Sequence, residues 1–514
     1  AFTAPPSAIN LNHAHIELEN GEIKFNKEYK QTLPIEPWHL FELFALFSEH
    51  TEAYQISANT QRIIEKYRHL IPEHCYLDPQ YQQLFLRILR SPKVSNTLEL
   101  LHEYGLLAKY ITEFSPITGM MQYDLFHAYP VDQHTLFLVK NLSDFVHQPN
   151  TALFPLAATV AKQISKPEIL YLAGIFHDIG KGRGGAHEDI GAEFIQDFAK
   201  VHNFSDSEIE LMRWLVQDHL LLSHTAQHQD ITNPAIIEEF AAKVKNTNTL
   251  NHLYLLTIAD IYATNNKLWT AWRSSLIDTL YQETNHLLHE TSHQPKTVQD
   301  IIAEKQQEAL ALINDESKKN ALRNLWQQFN FDYFMSRTPE ELTQQATFIL
   351  AAEMLPVITI AQHHSKSATE IFIYTQQHEE LFLAITSLLT KLQLSIVTAD
   401  INTTTKNFNL GTYIVLQRNN QPLDNETHIA RVIQRIQEQL QHLEIIQTPE
   451  LKHLPTRLQA LNYPPVIKFA PDTHSNSTTM SLYTPDRPGL LAHIARVCYN
   501  QHIQIHRAQI NTLG

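Results

Sequence analysis

The chain has 514 residues, a formal net charge of −15 with histidine neutral, and 43% hydrophobic, 9% aromatic and 18% charged residues. At roughly 100–200 residues per domain this is material for about three to five folded units, with enough apolar side chains for real cores, so wholesale disorder is excluded. The acidic balance argues against a sequence-blind grip on nucleic acid, the distant Cys75 and Cys498 exclude a disulfide framework or a cysteine zinc site and fit a reducing compartment, and no apolar run approaches the ~18 residues of a membrane span.

The first residue is Ala1 rather than Met, which reads as a piece of a longer chain. Residues 1–33, with Pro5 and Pro6, read as an irregular or short-strand lead-in. From Trp38 the pattern turns helical: "WHLFELFALFSEH", "TQRIIEKYRHLI", "YQQLFLRILRS" and "VSNTLELLHEYGLLAKYI" repeat apolar residues at spacings of three and four. Pro34 and Pro37 precede the first of these helices, where proline is tolerated. A punctuated stretch follows from Gly119 to Pro130, and residues 132–292 are again helical. Half of the 12 glycines fall there, at Gly174, Gly180, Gly182, Gly184, Gly185 and Gly191, a concentration that marks unusual dihedrals or close backbone approach. Residues 293–365 read as further helix. After residue 367 the period changes to a β-α-β-β unit in "ATEIFIYT", "ELFLAITSLLTKL", "LSIVTADINTT" and "GTYIVLQ". A second, incomplete copy runs through "TTMSLYT", "GLLAHIARVCYN" and "IQIHRAQINT".

The segment "YLAGIFHDIGKGRGGAH" carries the chemistry. His177 and Asp178 end an apolar helix, His187 follows across the glycine-rich turn, and His134 shares a periodicity with Leu138. His219 and Asp260 close two more apolar helices. A carboxylate after seven mostly apolar residues needs a partner if it is buried. Imidazole and carboxylate are ligands for Mn, Fe, Zn or Mg ions. His134, His177, Asp178 and Asp260 make one such set; His187 and His219 would hold a second ion with Asp178 bridging, or else bind phosphate or move protons. Paired metals clamp the attacking and leaving oxygens in phosphoester hydrolysis. Lys181 and Arg183, on a turn rich in backbone N–H groups, suit a phosphoryl group. The bland counterparts are a capping aspartate beside a satisfied histidine, and an ordinary exposed basic turn. The turn has neither GxGxxG nor GxxxxGK[ST] order, so it is no dinucleotide fingerprint or P-loop.

With "MQYDLFHAYPVDQHTL", "LVQDHLLLSHTAQ" and "LLTIADIYATN…LWTAWRSSLI", this segment resembles the HD-domain region of the bacterial bifunctional uridylyltransferase/uridylyl-removing enzymes, and the resemblance runs through nearly all of the chain. It implies a mainly α-helical HD-superfamily domain with helical flanking regions, followed by α+β ferredoxin-like ACT domains. The expected layout is a helical linker or helper domain over 1–120, the HD domain over 121–292, a helical connector over 293–366, a first ACT domain over 367–446, a linker over 447–476 and an incomplete second ACT domain over 477–514. By the resemblance, His134, His177, Asp178 and Asp260 fall on the H…HD…D pattern, and His187 and His219 on the extra histidines of dinuclear members. Asp178, Lys181, Arg183, His187 and His219 are the expected catalytic group. The implied activity is hydrolysis of UMP from a uridylylated tyrosine of the PII nitrogen-signalling protein, with Mn2+ or Mg2+ (Fe or Zn as alternatives) in one or two sites. Glutamine is the implied effector, UMP the product, a homodimer the implied assembly and the cytoplasm the implied location, with no nucleic acid or membrane partner.

No nucleotidyltransferase motif with paired acidic residues is found, so UMP addition is not expected of this polypeptide. The second ACT copy keeps "TPDRPGLL", which puts Asp486, Arg487, Pro488 and Gly489 between a strand and a helix; the first copy has His378 and Glu379 there and no glycine. Asp486, Arg487 and Gly489 are therefore the expected ligand site, the plainer alternative being that Asp486 caps the helix. Two other readings stay open: another HD phosphohydrolase, such as a guanosine-tetraphosphate hydrolase, and a non-catalytic glutamine-sensing module.

Overall fold

The structure is a computed structural model, and it describes residues 8–9, 11, 13–26, 36–121, 129–229, 231, 234–266, 269–289, 298–363, 367–443, 447–451, 464–471, 478–485, 487, 489–505 and 507–509. The lead-in is strand: Ala8–Ile9, Ile16–Glu19 and Glu22–Phe25 run antiparallel, and Gln55–Ile56 adds in parallel to Glu22–Phe25. Asn20 and Gly21 make the hairpin turn at φ +51° and +75°, values that asparagine and glycine tolerate.

Helices then run from Trp38–Glu49 to Ala271–His289. Their starts follow local chemistry. The Ser57 hydroxyl accepts the Thr60 N–H, Pro79 follows the Asp78 cap, Ser205 and Glu208 form a capping box, and Asn246 caps Thr247–Thr264. The Thr247–Thr264 helix is apolar nearly all round, with Leu250 and Leu253–Ala259 buried, and so it runs through the interior.

The expected boundary at residue 120 is not a break in the core. One hydrophobic core extends from Ile16 to Tyr281. Phe85 stacks on Tyr110 at 4.2 Å between centroids, and both rings meet Phe198. The Tyr110 hydroxyl lies 2.6 Å from His202 Nε2, while His202 Nδ1 lies 2.7 Å from the Phe198 carbonyl. Nδ1–H donates to that carbonyl, which leaves Nε2 to accept from the tyrosine. Burial drives the His202 pKa down to about 4. The unfolded chain, with histidine near 6.5, binds the proton first. The stabilisation is therefore whole above about pH 6.5 and is lost as pH falls toward 4, by an order of about 3 kcal/mol. The thermal midpoint of His202→Gln should accordingly fall less than that of the parent between pH 7.5 and 4.5; equal slopes would remove His202 from the acid response.

The C-terminal part is built on a five-stranded antiparallel sheet in the order Arg507–Gln509, Leu394–Thr403, Phe408–Gln417, Thr369–Gln376, Val357–Gln362. Val357–Gln362 lies within the stretch read as helical connector. Pro356 follows the last helix, and "VITI" is β-branched at every position, so the chain is already extended ten residues before 367. Both faces of the sheet are covered. Ile371 and Ile373 pack with the helices Leu381–Lys391 and Glu426–Gln441, and the alternate residues Phe372 and Tyr374 pack with Trp326, Tyr333 and Leu342 of the preceding helical segment. The expected connector is thus a layer on the sheet. A buried ion pair fixes it there: Arg337 Nη1 lies 2.7 Å from Asp400 Oδ2, and Arg337 Nη2 donates to Thr412 Oγ1 at 2.8 Å.

Of the second copy, Thr478–Tyr483 pairs with Val466–Pro471 in a separate two-stranded sheet. The helix Leu490–Asn500 packs through Ala495 into the first unit's core, and Arg507–Gln509 extends the first unit's sheet beside Leu394–Thr403. One strand of the second copy therefore joins the first copy's sheet. No helix among the described residues is long and apolar enough to cross a membrane.

Candidate metal centre

Five helices bring the histidines and aspartates together, His187 being the first residue of His187–Val201. His134 lies in the first turn of Val131–His147, and His177 caps the C-terminus of Pro167–Phe176. Gly174 lets these two helices touch, since a Cβ there would come 2.6 Å from Leu138 Cδ2. Asp260 lies in Thr247–Thr264, which continues a turn beyond it and does not end there as the sequence suggested. Asn141 Nδ2 donates to the Ala259 carbonyl and ties this helix to the one carrying His134. His219 stands two residues past the end of Asp206–Gln217.

The donor atoms converge. His134 Nε2 is 3.2 Å from His177 Nε2, 3.1 Å from Asp260 Oδ1 and 3.7 Å from Asp178 Oδ2. His177 Nε2 is 3.1 Å from Asp178 Oδ2 and 3.8 Å from Asp260 Oδ1. Ligands at ~2.1 Å from one ion stand about 3.0–3.4 Å apart in octahedral or tetrahedral arrangement, so this spacing fits a shared cation. A second group joins the other carboxylate oxygen: His187 Nε2 is 3.3 Å from Asp178 Oδ1, with the His219 ring beside it at 5.9 Å between centroids. Asp178 belongs to both groups.

Burial grades across the cluster. His134 and His177 are 1% exposed and Asp178 and His219 3%, while the side chains of Asp260 and His187 reach 18% and 27%. His187 thus stands on the most exposed side of the cluster. Backbone carbonyls set two of the rings: His177 Nδ1 lies 2.8 Å from Gly174 O, and His219 Nδ1 lies 2.8 Å from Val216 O. With Nδ1–H donating there, each Nε2 keeps its lone pair for a ligand. Burial lowers the His219 pKa and so favours the neutral ring. Burial also opposes charge on Asp178, but the His177 imidazole beside it, with His187 and Lys181, holds the carboxyl well below its ordinary range. Asp260 is likewise pulled down to about 2, its desolvation outweighed by the hydrogen bond from His134. Both carboxylates are ionised at neutral pH, as cation ligands must be.

Lys181 Nζ reaches Asp178 Oδ2 at 2.7 Å. Arg183 turns elsewhere: Nη2 donates to the Glu113 carbonyl at 3.0 Å, and its guanidinium lies over the Phe194 ring. Glu188, not singled out in the sequence, meets His187 Nδ1 at 3.3 Å and orients that ring. An acid next to a histidine is too common to have signalled this.

The glycine turn is what returns the chain to Asp178. Gly182, Gly184 and Gly185 have positive φ, and a Cβ on Gly180 would stand 2.3 Å from the His187 carbonyl oxygen. Gly180→Ala should therefore push His187 away and weaken cation binding at the Asp178–His187–His219 group by about tenfold or more, the scale of a displaced supporting group. Mn2+ titration followed by electron paramagnetic resonance would measure it; a binding isotherm like the parent's would show that the turn does not set this group.

Among the expected regulatory residues, Asp486 and Pro488 lie outside the described residues. Gly489 is the N-cap of Leu490–Asn500 at φ +92°, and the Glu450 carbonyl lies 3.3 Å from where a Cβ would sit. His493 Nε2, 2.8 Å from Pro449 O, and Arg496 Nε, donating to Thr448 Oγ1, hold that segment in place. Backbone from 449–450 therefore lies against Gly489, in the turn expected to take a ligand.

A mainly helical core with paired histidine–aspartate groups of this kind defines the HD class, and the HD domain model matches residues 152–265. The models for the third and fifth domains of uridylyltransferase GlnD match residues 18–110 and 297–347. Proteins named bifunctional uridylyltransferase/uridylyl-removing enzyme match nearly the whole chain: one from Legionella pneumophila (strain Paris) is 36% identical over 96% of this chain, and one from Pseudomonas putida (strain W619) 34% identical over 100%. Another from Idiomarina loihiensis is 36% identical over 93%. The chain belongs to this family, and it spans 55–57% of the length of these relatives.

Proposed function

We propose that the chain is a metal-dependent phosphodiesterase that removes UMP from a uridylylated tyrosine of a PII-type signalling protein. The observation that supports this most is the sharing of Asp178 between two histidine-bearing groups, with the Lys181 ammonium on the same carboxylate. His134, His177, Asp178 and Asp260 would hold one cation, and Asp178, His187 and His219 a second. A divalent cation supplies Lewis-acid charge and makes water a competent nucleophile at neutral pH. The other work falls to the chain's own groups. Lys181 offers positive charge to the non-bridging phosphoryl oxygens. Glu188 keeps the His187 ring oriented at the rim. The leaving tyrosine oxygen, with a free pKa of about 10, needs modest protonation help. Arg183, engaged with Glu113 and Phe194, holds the turn and so supports the site from behind.

The substrate and the glutamine control rest on the family. The relatives' name carries both uridylyl transfer and removal, and the reading proposed here assigns the histidine–aspartate groups to removal. Turnover of uridylylated PII against guanosine tetraphosphate, with Mn2+ present, tests the substrate: UMP release well above nucleotide hydrolysis is the expected result, and preference for the tetraphosphate would move the chain to the other HD activity.

A further inference from the structure

A cavity of about 480 Å³ lies at the opposite ends of helices that carry the histidine–aspartate cluster. Its walls come from the starts of Pro167–Phe176, Asp206–Gln217 and Thr247–Thr264, whose later residues lead to His177, His219 and Asp260. Three lysines line it: Lys166, Lys243 and Lys245. Lys166 pairs with Glu208 and Lys243 with Glu239, while Lys245 has no ion-pair partner within 4 Å among the described residues. The half-buried Trp214 indole supplies an apolar wall.

His252 also lines this cavity, 3% exposed. Its Nδ1 lies 2.8 Å from the Asn248 carbonyl and donates to it, while Nε2 is buried with no hydrogen-bond partner. Burial lowers the His252 pKa, so Nε2 remains an acceptor. A buried acceptor without a donor is destabilising, a cost that a ligand bringing an N–H or O–H would relieve. His252 lies apart from the histidine–aspartate cluster and has no part in the hydrolytic reading.

We infer that this cavity is a second small-molecule site, taking a planar N–H-bearing heterocycle with an anionic group, the chemistry of a nucleoside monophosphate. The heterocycle lies on Trp214, its N–H donates to His252 Nε2, and the phosphate meets Lys245 and Lys243. Base-on-indole stacking and a phosphate–lysine contact are both general devices of nucleotide recognition.

AMP is the probe, titrated into the whole chain stripped of metal and kept in EDTA, so that the cluster takes no part. Calorimetry should show saturable AMP binding, with adenosine and ribose 5-phosphate each at least about tenfold weaker, since each lacks one anchor. Lys245→Glu, at an exposed position, should weaken AMP about tenfold without disturbing the fold. Trp214→Leu should do the same, and Asp178→Ala should leave AMP binding unchanged. No saturable binding of AMP up to 10 mM, as a concentration of roughly the weakest useful affinity, overturns the inference. So does binding that Lys245→Glu leaves intact, or binding that Asp178→Ala abolishes, which would place the nucleotide at the cluster.

Discussion

Asp178→Ala should lose bound divalent cation and nearly all hydrolysis together. Asp178 is the only side chain common to both ligand groups, its two oxygens facing His177 and His187 at 3.1 and 3.3 Å. Its removal leaves each group a ligand short and strips the negative charge that balances Lys181 and the imidazoles. Cation affinity should fall by about 10²-fold or more, beyond the 10–100-fold typical of supporting groups. Turnover should fall by about 10⁴-fold or more, as when one member of a catalytic unit is deleted. The core should persist, because Phe176, Ile179 and the packing around Gly174 do not depend on the carboxylate. Metal content by mass spectrometry beside circular dichroism checks it: a folded variant that retains stoichiometric metal would contradict the ligand assignment.

Lys181→Ala should separate the phosphoryl contact from metal binding. Its ammonium stands at the cluster's edge, 13% exposed, three residues past Asp178. A lost donor to transition-state charge costs about 10²–10³-fold in rate. We expect kcat/KM to drop by about 10²-fold with cation content nearly unchanged. Arg183→Ala, by contrast, should act through the turn, with a smaller loss and a lower thermal midpoint, since its contacts are to Glu113 and Phe194. Steady-state kinetics of both variants would decide. Parent-like kinetics in Lys181→Ala would make that lysine a structural partner of Asp178.

The helices and the cluster were legible because their signals are local. An apolar run ending in His177–Asp178, and a buried-face position for His134, follow from periodicity. Six glycines in one stretch announced the close approaches later seen at Gly174 and Gly180. What was not legible depends on contacts distant in sequence. The single core through Phe85, Tyr110 and Phe198 joins segments that look separable, and no periodicity encodes that packing. Val357–Gln362 follows so closely on helical sequence that a six-residue strand was absorbed into it. Arg183 looked like a phosphate ligand because the sequence shows its proximity to Asp178 and not the Phe194 ring that claims it. Nothing in the sequence singles out His252, whose unpartnered nitrogen beside a cavity depends on how the helices pack.

The most direct measurement is UMP release from uridylylated PII by the whole chain, first stripped of metal and then given Mn2+ in steps. The proposed function predicts no release in EDTA and a rate that rises in proportion to cation bound at the cluster, with the rise absent in Asp178→Ala. A full rate in the stripped protein, or metal-independent release by Asp178→Ala, would contradict a catalytic metal centre built on His134, His177, Asp178 and Asp260.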